Sequence, residues 1–475
     1  MTDIGKTVDS FRRGAFDLDC TKMVLCQRKE GGGKFEGRGY VRQDEAGTLV
    51  FKVYVDNKEN APPSAIVEML TRGASGTVVG DDELYDLTAT SVDGTSWKAV
   101  RIAGLRPNWD MEKDTGVLSG SLYSIVAGPM LPPAEPHLLR LHFFEEYELP
   151  LNRWSPDEDR TPQGMVRDRA EFAACGAQFN VKSRRGFGDT VVEVIADTAF
   201  PPAFDLRIQE ALQYVTGRSA MWRARLETCQ GMVSLALASP RRKAARPQVN
   251  PPLAPGSIEF HRHSWSLFER FLTYVIENTD ASGGKQHWNA VAYHLYIARE
   301  STSPSIDAWA VGVSVAVEAL ASLAKLPVNP GADGGWADFR TRALKWLEEQ
   351  PDFSEGVRKR AQGLIGSSAD KGVKQTLREL AEMGHVDKRY VDAWGKVRHR
   401  HVHPNLADLQ LPDAADYQVL FDRLQWVGML LHQLTFHLIG YEGPITEYGR
   451  GGLRSRQYPL LESEEDWDDA CRGSF

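Results

Sequence analysis

The sequence predicts an α+β chain, a β-rich N-terminal domain followed by an all-α helical bundle. Three observations predict it. Short runs of Val, Phe and Tyr separated by glycine-rich turns occupy the first half. Long segments with apolar residues at helical spacing occupy the second. Between them, 238–255 reads ASPRRKAARPQVNPPLAP, rich in proline and cations and poor in large apolar residues, as a linker or exposed hinge is. A chain of 475 residues is also longer than one ordinary core serves. The expected division is a β-rich sensing or regulatory domain over 1–237, a linker over 238–257, a helical domain over 258–440 and a polar tail over 441–475.

Residues 35–55, FEGRGYVRQDEAGTLVFKVYV, hold two apolar runs around a polar turn. Segments 65–70, 96–103, 119–128, 137–148 and 191–198 have the same character, and 180–195 has the form of a hairpin with Arg184, Arg185 and Gly186 near its turn. Residues 204–220 break the pattern, with Leu206, Ile208, Leu212 and Val215 at helical spacing. After the linker, 263–278 carries Leu267, Phe271, Leu272 and Val275 on one stripe, and 287–299 carries Trp288, Val291, Ala292, Leu295 and Ala298. The segment 306–325 is apolar nearly all round, as a central buried helix would be. Charged helices are expected over 336–350, 353–365 and 370–383, and a further one over 388–399 that Pro404 ends or kinks. The last helix, 414–439, has an apolar run suited to a bundle core or a dimer face. The tail from Gly440 is polar, glycine-rich and finally acidic, and is expected to be loosely held.

Lys and Arg number 56 against 64 Asp and Glu, a formal charge of -8. Global charge therefore gives no support to a non-specific nucleic-acid coat, and any nucleic-acid contact must use a local basic patch. Arg241-Arg242-Lys243 is either a solvated surface run or an RNA-trapping contact. The five cysteines, at 20, 26, 175, 229 and 471, are scattered and form no CxxC pair, so no disulfide framework is expected. The first residues lack the apolar core of a signal peptide, and no stretch approaches the ~20 apolar residues of a membrane span. A cytoplasmic protein with no membrane partner is the expectation.

The densest chemistry lies in Arg398-His399-Arg400-His401-Val402-His403, two fixed cations beside three titratable imidazoles. Histidine titrates near neutrality and serves as base or acid. Arginine offers a rigid fork for phosphate. Metal-free cleavage of RNA needs these parts: a base for the 2'-hydroxyl proton, a cation for the non-bridging oxygens, and an acid for the leaving 5'-oxygen. On a regular helix Arg398 and His403 would stand about 140° apart. The motif makes better sense at a helix end, with Arg398 on the last turn and His403 returning from the loop before Pro404. Lys396, Arg398 and Arg400 also suit a helix C-terminus electrostatically. The same cluster would equally serve as a solvated surface or a proton-sensitive contact.

Other motifs are weaker. His261 and His263 alternate rather than taking helical metal spacing, and no HExxH or acidic metal set occurs, so neither metal nor cofactor is expected. His432 and His437 sit among leucines and read as packing or interface histidines. There is no GxGxxG and no Gly-x-Ser-x-Gly element.

Arg398-x4-His403 resembles the Arg-x(4–6)-His signature of HEPN domains, all-helical domains of which many are ribonucleases in antiviral defence and toxin–antitoxin systems. Its context strengthens the likeness: Trp394 precedes it in VDAWGKVRHRHVHP and a long helix follows. Val317-Glu318-Ala319-Leu320 resembles the x-Glu-Ala-Leu segment of the ApeA-like branch, and 287–299 the helix before it. The likeness covers roughly 258–440, and the β-rich first half resembles the layout of ApeA-type anti-phage proteins.

The resemblance implies an HEPN-like helical bundle acting as a metal-independent endoribonuclease in abortive infection, with products ending in a 2',3'-cyclic phosphate or a 3'-phosphate. It places the catalytic arginine on Arg398 and the histidine on His403. Glu318 falls on an acidic position, where it orients Arg398 or His403 or is a buried structural partner. The position after the arginine is often asparagine in relatives; His399 stands there and either orients phosphate or fills the place. Arg400 and His401 within the spacer, with Lys396, are the candidates for substrate contacts. RNA, a homodimer or higher homo-oligomer formed through the helical domain, and a phage-derived trigger are the implied partners. The alternative is a catalytically inactive scaffold that binds RNA, nucleotide or protein.

Overall fold

In a computed structural model, residues 3–60, 78–110, 112, 115–130, 137–156, 165–184, 188–229, 232–240, 249–279, 288–324, 330–350, 352–367, 372–402, 414–449 and 452–460 are described. The expected strand at 65–70, the turn residues Arg185 and Gly186, the basic run 241–243, and Pro404 lie outside them. A β-sheet-rich N-terminal region is followed by an α-helical C-terminal region, a two-domain α+β architecture. The chain divides into two compact units, one of Met1–Gln209 with Ala220–Ala244, the other of Glu210–Ser219 with Ala245–Phe475.

In the first unit, helix α1 (Ile4–Arg12) precedes β1 (Asp17–Gln27), β2 (Lys34–Gln43), β3 (Leu49–Glu59), β4 (Tyr85–Ser91), β5 (Ser96–Ile102), β6 (Arg106–Asp110), β7 (Thr115–Leu122), β8 (Ser124–Met130), β9 (His137–Phe143), β10 (Arg153–Pro156), β11 (Met165–Ala174), β12 (Ala177–Arg184), β13 (Asp189–Ala196), β14 (Ala224–Cys229) and β15 (Met232–Ala238). They form one sheet ordered β10-β11-β12-β13-β9-β14-β15-β8-β5-β4-β1-β2-β3-β7-β6. Alternation sets which face is inward. On β3, Leu49, Phe51, Val53 and Val55 are buried, and they join Phe11, Phe16, Phe35, Trp97 and Leu118 in one core. Gly37 sits where the β2–β3 register shifts, and a Cβ there would lie 1.8 Å from the Tyr54 carbonyl oxygen. The close approach at that bulge requires glycine. The hairpin expected over 180–195 is β12 against β13, with Arg184 opposite Asp189.

Helix α2 (Phe204–Thr216) contributes its residues from Glu210 onward to the second unit. The remaining helices are α3 (Ile258–Glu277), α4 (Ala290–Glu300), α5 (Ile306–Leu323), α6 (Pro330–Glu348), α7 (Glu355–Ser367), α8 (Val373–Glu382), α9 (Lys388–Val402) and α10 (Ala414–Ile439). Three of them start on side-chain caps: Ser257 accepts from the Phe260 N–H, Asn289 from Val291, and Ser305 from Ala308. Helix α5 packs against α4, α8, α9 and α10. It buries Ala310, Gly312, Val313, Ala316, Val317 and Leu320. A Cβ on Gly312 would stand 2.2 Å from Ser301 Oγ, so glycine permits the close passage of α5 by the end of α4. By length and composition α5 is the one described helix able to cross a membrane, where no stretch of that length was expected.

The tail is a correction. Residues after Gly440 were expected to be loosely held, yet β16 (Gly443–Gly449) and β17 (Gly452–Tyr458) pair as a hairpin with Ile445 and Tyr458 buried. Thr446 fixes it twice, its N–H donating to the Pro252 carbonyl and its Oγ1 accepting from the Ala254 N–H, each at 2.9 Å. A charged network adds to this. Arg456 reaches Asp387 at 2.9 Å and Glu447 at 3.1 Å, and the Tyr390 hydroxyl donates to Glu447 at 2.7 Å. Burial pushes the Asp387 carboxyl up, but hydrogen bonds and charge from Arg389 and Arg456 outweigh it and hold the group below the usual aspartate value.

Candidate functional site

Helix α9 buries Tyr390, Val391, Ala393, Trp394 and Val397, a stripe of helical spacing that turns its other face outward. Trp394 anchors it, its indole N–H donating to the Ser314 carbonyl of α5 at 3.3 Å. One turn later Arg398 emerges from the same side. Its guanidinium lies 5.9 Å from the Trp394 ring centre and its Nε donates to Glu318 on α5. Both members of this ion pair are about a third exposed, with side-chain accessibilities of 34% and 30%. At that exposure the pair adds at most about 1 kcal/mol to stability. Its main consequence is directional, since a carboxylate on a neighbouring helix fixes where the guanidinium points.

The pair opens into a groove of about 1450 Å³. Lys374, Arg378, Lys388, Lys396, Arg398, Arg400 and Arg423 line it, against the carboxylates Glu318, Glu382 and Asp392. Cations outnumber carboxylates in this wall seven to three, a local positive excess in an otherwise acidic chain. His399 also lines the groove and is exposed. The structure thus gathers Glu318, Lys396, Arg398, His399 and Arg400 at one place. His401 is elsewhere: it is largely buried, with Nδ1 3.2 Å from Asp307 of α5, and it does not line the groove. His403 lies outside the described residues. The fixed positive charge of Arg400 in the last turn of α9 suits the partial negative charge of its carbonyl end.

Sequence reasoning missed Lys374, Arg378, Lys388 and Arg423. Lys374 and Arg378 are four apart on α8, a spacing that already places them on one helix face. Arg423 belongs to α10 and reaches the groove through helix packing, which no local pattern reveals. His385 and His437, not assigned to any site, have ring centres 4.5 Å apart. Burial pushes both their pKa values down, and for His437 the charge of His385 adds to it. Among the described residues no three His, Cys, Asp or Glu side chains gather closely enough to hold a metal ion.

Comparison with family models, with curated proteins and with solved structures finds no match to this chain.

Proposed function

We propose that the helical region is a metal-independent endoribonuclease of HEPN-like type acting in anti-phage abortive infection, with the basic groove as its RNA-binding surface. The observation that carries the reading is Arg398, aimed by Glu318 within a groove of seven cations. A pre-aimed guanidinium suits the non-bridging oxygens of a phosphodiester, which gain charge as the reaction proceeds. Lys374, Arg378, Lys388 and Arg423 are placed to follow the backbone on either side, as a binding channel for single strands requires. In the proposed reaction a base accepts the 2'-hydroxyl proton and the 2'-oxygen attacks phosphorus. The bond from phosphorus to the 5'-oxygen then breaks as an acid protonates that oxygen. The products are a 2',3'-cyclic phosphate and a 5'-hydroxyl. His403, by its resemblance to the family histidine, is assigned the proton transfer, and His399 a contact to phosphate. A homodimer through the helical domain would place two copies of the motif together, and the β-rich region is assigned the sensing of a phage-derived trigger.

A second reading, a catalytically inactive scaffold that binds RNA, nucleotide or protein, is favoured by one observation: Arg398 is already neutralised by Glu318, while the other cations are spread along the groove. The test is incubation of the full chain with end-labelled RNA in chelator, followed by analysis of product ends. Wild type is expected to yield cyclic-phosphate ends, H403A none, R398A at least a hundredfold less, and H401A a smaller loss. Equal cleavage by H403A and wild type would remove the proposed mechanism.

A further inference from the structure

The first unit carries a cationic surface of its own, on the outer face of β2, β3, β7 and β6. Residues paired directly across strands point to the same side of a sheet. Tyr40 pairs with Lys52, Arg38 with Tyr54, and Lys52 and Arg106 both with Ser119. On β3 the alternate residues Phe51, Val53 and Val55 are buried in the core, so Lys52 and Tyr54 face away from it. Arg38, Tyr40, Arg42, Lys52, Tyr54 and Arg106 therefore share one outward surface. Their neighbours in these three rows on the four strands are apolar or neutral, and none is a carboxylate.

The side chains are arranged as cation against ring. The Arg42 guanidinium lies 4.1 Å from the Tyr40 ring centre, and Asp17 and Asp19 of β1 hold it there at 2.6 and 3.4 Å. The Lys52 ammonium stands 5.9 Å from the ring centres of both Tyr40 and Tyr54. Tyr54 is 42% exposed. Arg38, Lys52 and Arg106 have no carboxylate partner among the described residues. In a chain of net charge -8 this is a local excess of positive charge, and its self-repulsion is relieved by a polyanion.

We propose that this face of the sheet binds a single strand of nucleic acid, with phosphates on Arg38, Lys52 and Arg106 and bases stacked on Tyr54 and on the Tyr40–Arg42 pair. A cationic track interleaved with aromatic faces is what single-strand binding requires. From β2 to β6 the surface runs about 14 Å, the width of three strand spacings. A duplex would bring phosphates but hide its base faces. An acidic protein segment would meet the cations and leave the rings without a flat partner. Such binding does not depend on RNA cleavage by the helical unit.

Photo-cross-linking of the full chain to a short single-stranded DNA carrying 5-iodouracil tests it. The DNA has no 2'-hydroxyl, so the cleavage proposed for the helical unit has no bearing on the result. Iodouracil couples to an aromatic side chain on which it stacks, and mass spectrometry of the cross-linked peptides is expected to find Tyr40 or Tyr54. The yield at those residues against protein concentration reads the affinity of this face alone. K52Q/R106Q, which touches no buried residue, is expected to weaken it about tenfold through two lost phosphate contacts. K374Q/R378Q in the helical groove should leave it unchanged. The same DNA annealed to its complement should compete about tenfold less well, because its bases are no longer free to stack. Cross-links absent from both β2 and β3 would overturn the proposal, as would an affinity unmoved by K52Q/R106Q or lowered equally by K374Q/R378Q. Equal competition by the duplex would make the face a general polyanion surface, and equal competition by polyglutamate an acidic-protein surface; either result overturns it.

Discussion

Raising salt from 50 to 200 mM should weaken RNA binding by about 50- to 350-fold. The figure follows from the groove. Seven cations line it, and Arg398 is held by Glu318, which leaves Lys374, Arg378, Lys388, Lys396, Arg400 and Arg423 with no ion-pair partner among the described residues. Each phosphate neutralised on a single strand releases counter-ions and contributes about -0.7 to the slope of log affinity against log salt. Four to six such contacts give a slope of about -2.8 to -4.2, and a fourfold rise in salt then gives the stated loss. The assay is fluorescence anisotropy of a labelled single-stranded RNA, in chelator, with H403A as the binding protein so that the RNA stays whole. K374Q/R378Q should flatten the slope by about 1.4. A slope shallower than about -1, or one unmoved by the double substitution, would refute the groove as the RNA surface.

Three further outcomes are expected. E318Q frees Arg398 without removing a cation, so RNA affinity should hold or rise while cleavage falls about 10- to 100-fold through lost positioning; unchanged cleavage rates would show that Glu318 does not aim the guanidinium. The His432 pKa is lowered to about 4 in the fold, so the unfolded chain takes up the proton first. The stability this group contributes is complete above its ordinary value and is lost as pH falls through the window down to about 4, by up to about 3 kcal/mol. Melting curves between these limits should show a steeper loss in wild type than in H432L, and parallel curves would contradict the assignment. G312A should cost about 1–3 kcal/mol in urea unfolding, because the added methyl meets Ser301 at the α4–α5 passage; an unchanged midpoint would mean that Ser301 gives way freely.

The helical half was the more legible. The stripe of Leu267, Phe271, Leu272 and Val275 marked α3, and the long apolar run marked α5, because a helix repeats its buried face over many residues. Strands offer shorter signals, and bulges erase them. On β1 the register shifts between Cys20 and Met23, so the buried Cys20, Met23 and Leu25 fall out of strict alternation and the strand went unnoticed. The closing hairpin was missed for another reason. Its polar residues are satisfied by distant partners, Thr446 by Pro252 and Ala254, and Arg456 by Asp387, so composition alone made it look unanchored. At the candidate site, Arg398 and its neighbours were visible as a dense cationic run. That Glu318 meets Arg398 was one of two partners suggested for it, while the contribution of Arg423 depended on tertiary packing. His401 read as a substrate contact from its place in the run, but the helix turns it toward Asp307.

The central claim is that Arg398 and His403 cut RNA. Total RNA from cells induced to make wild type or H403A, with and without phage challenge, tests it most directly. Fragmentation in wild type alone, appearing or rising on challenge, is the predicted result. Intact RNA in challenged wild-type cells, or equal fragmentation with H403A, would contradict it.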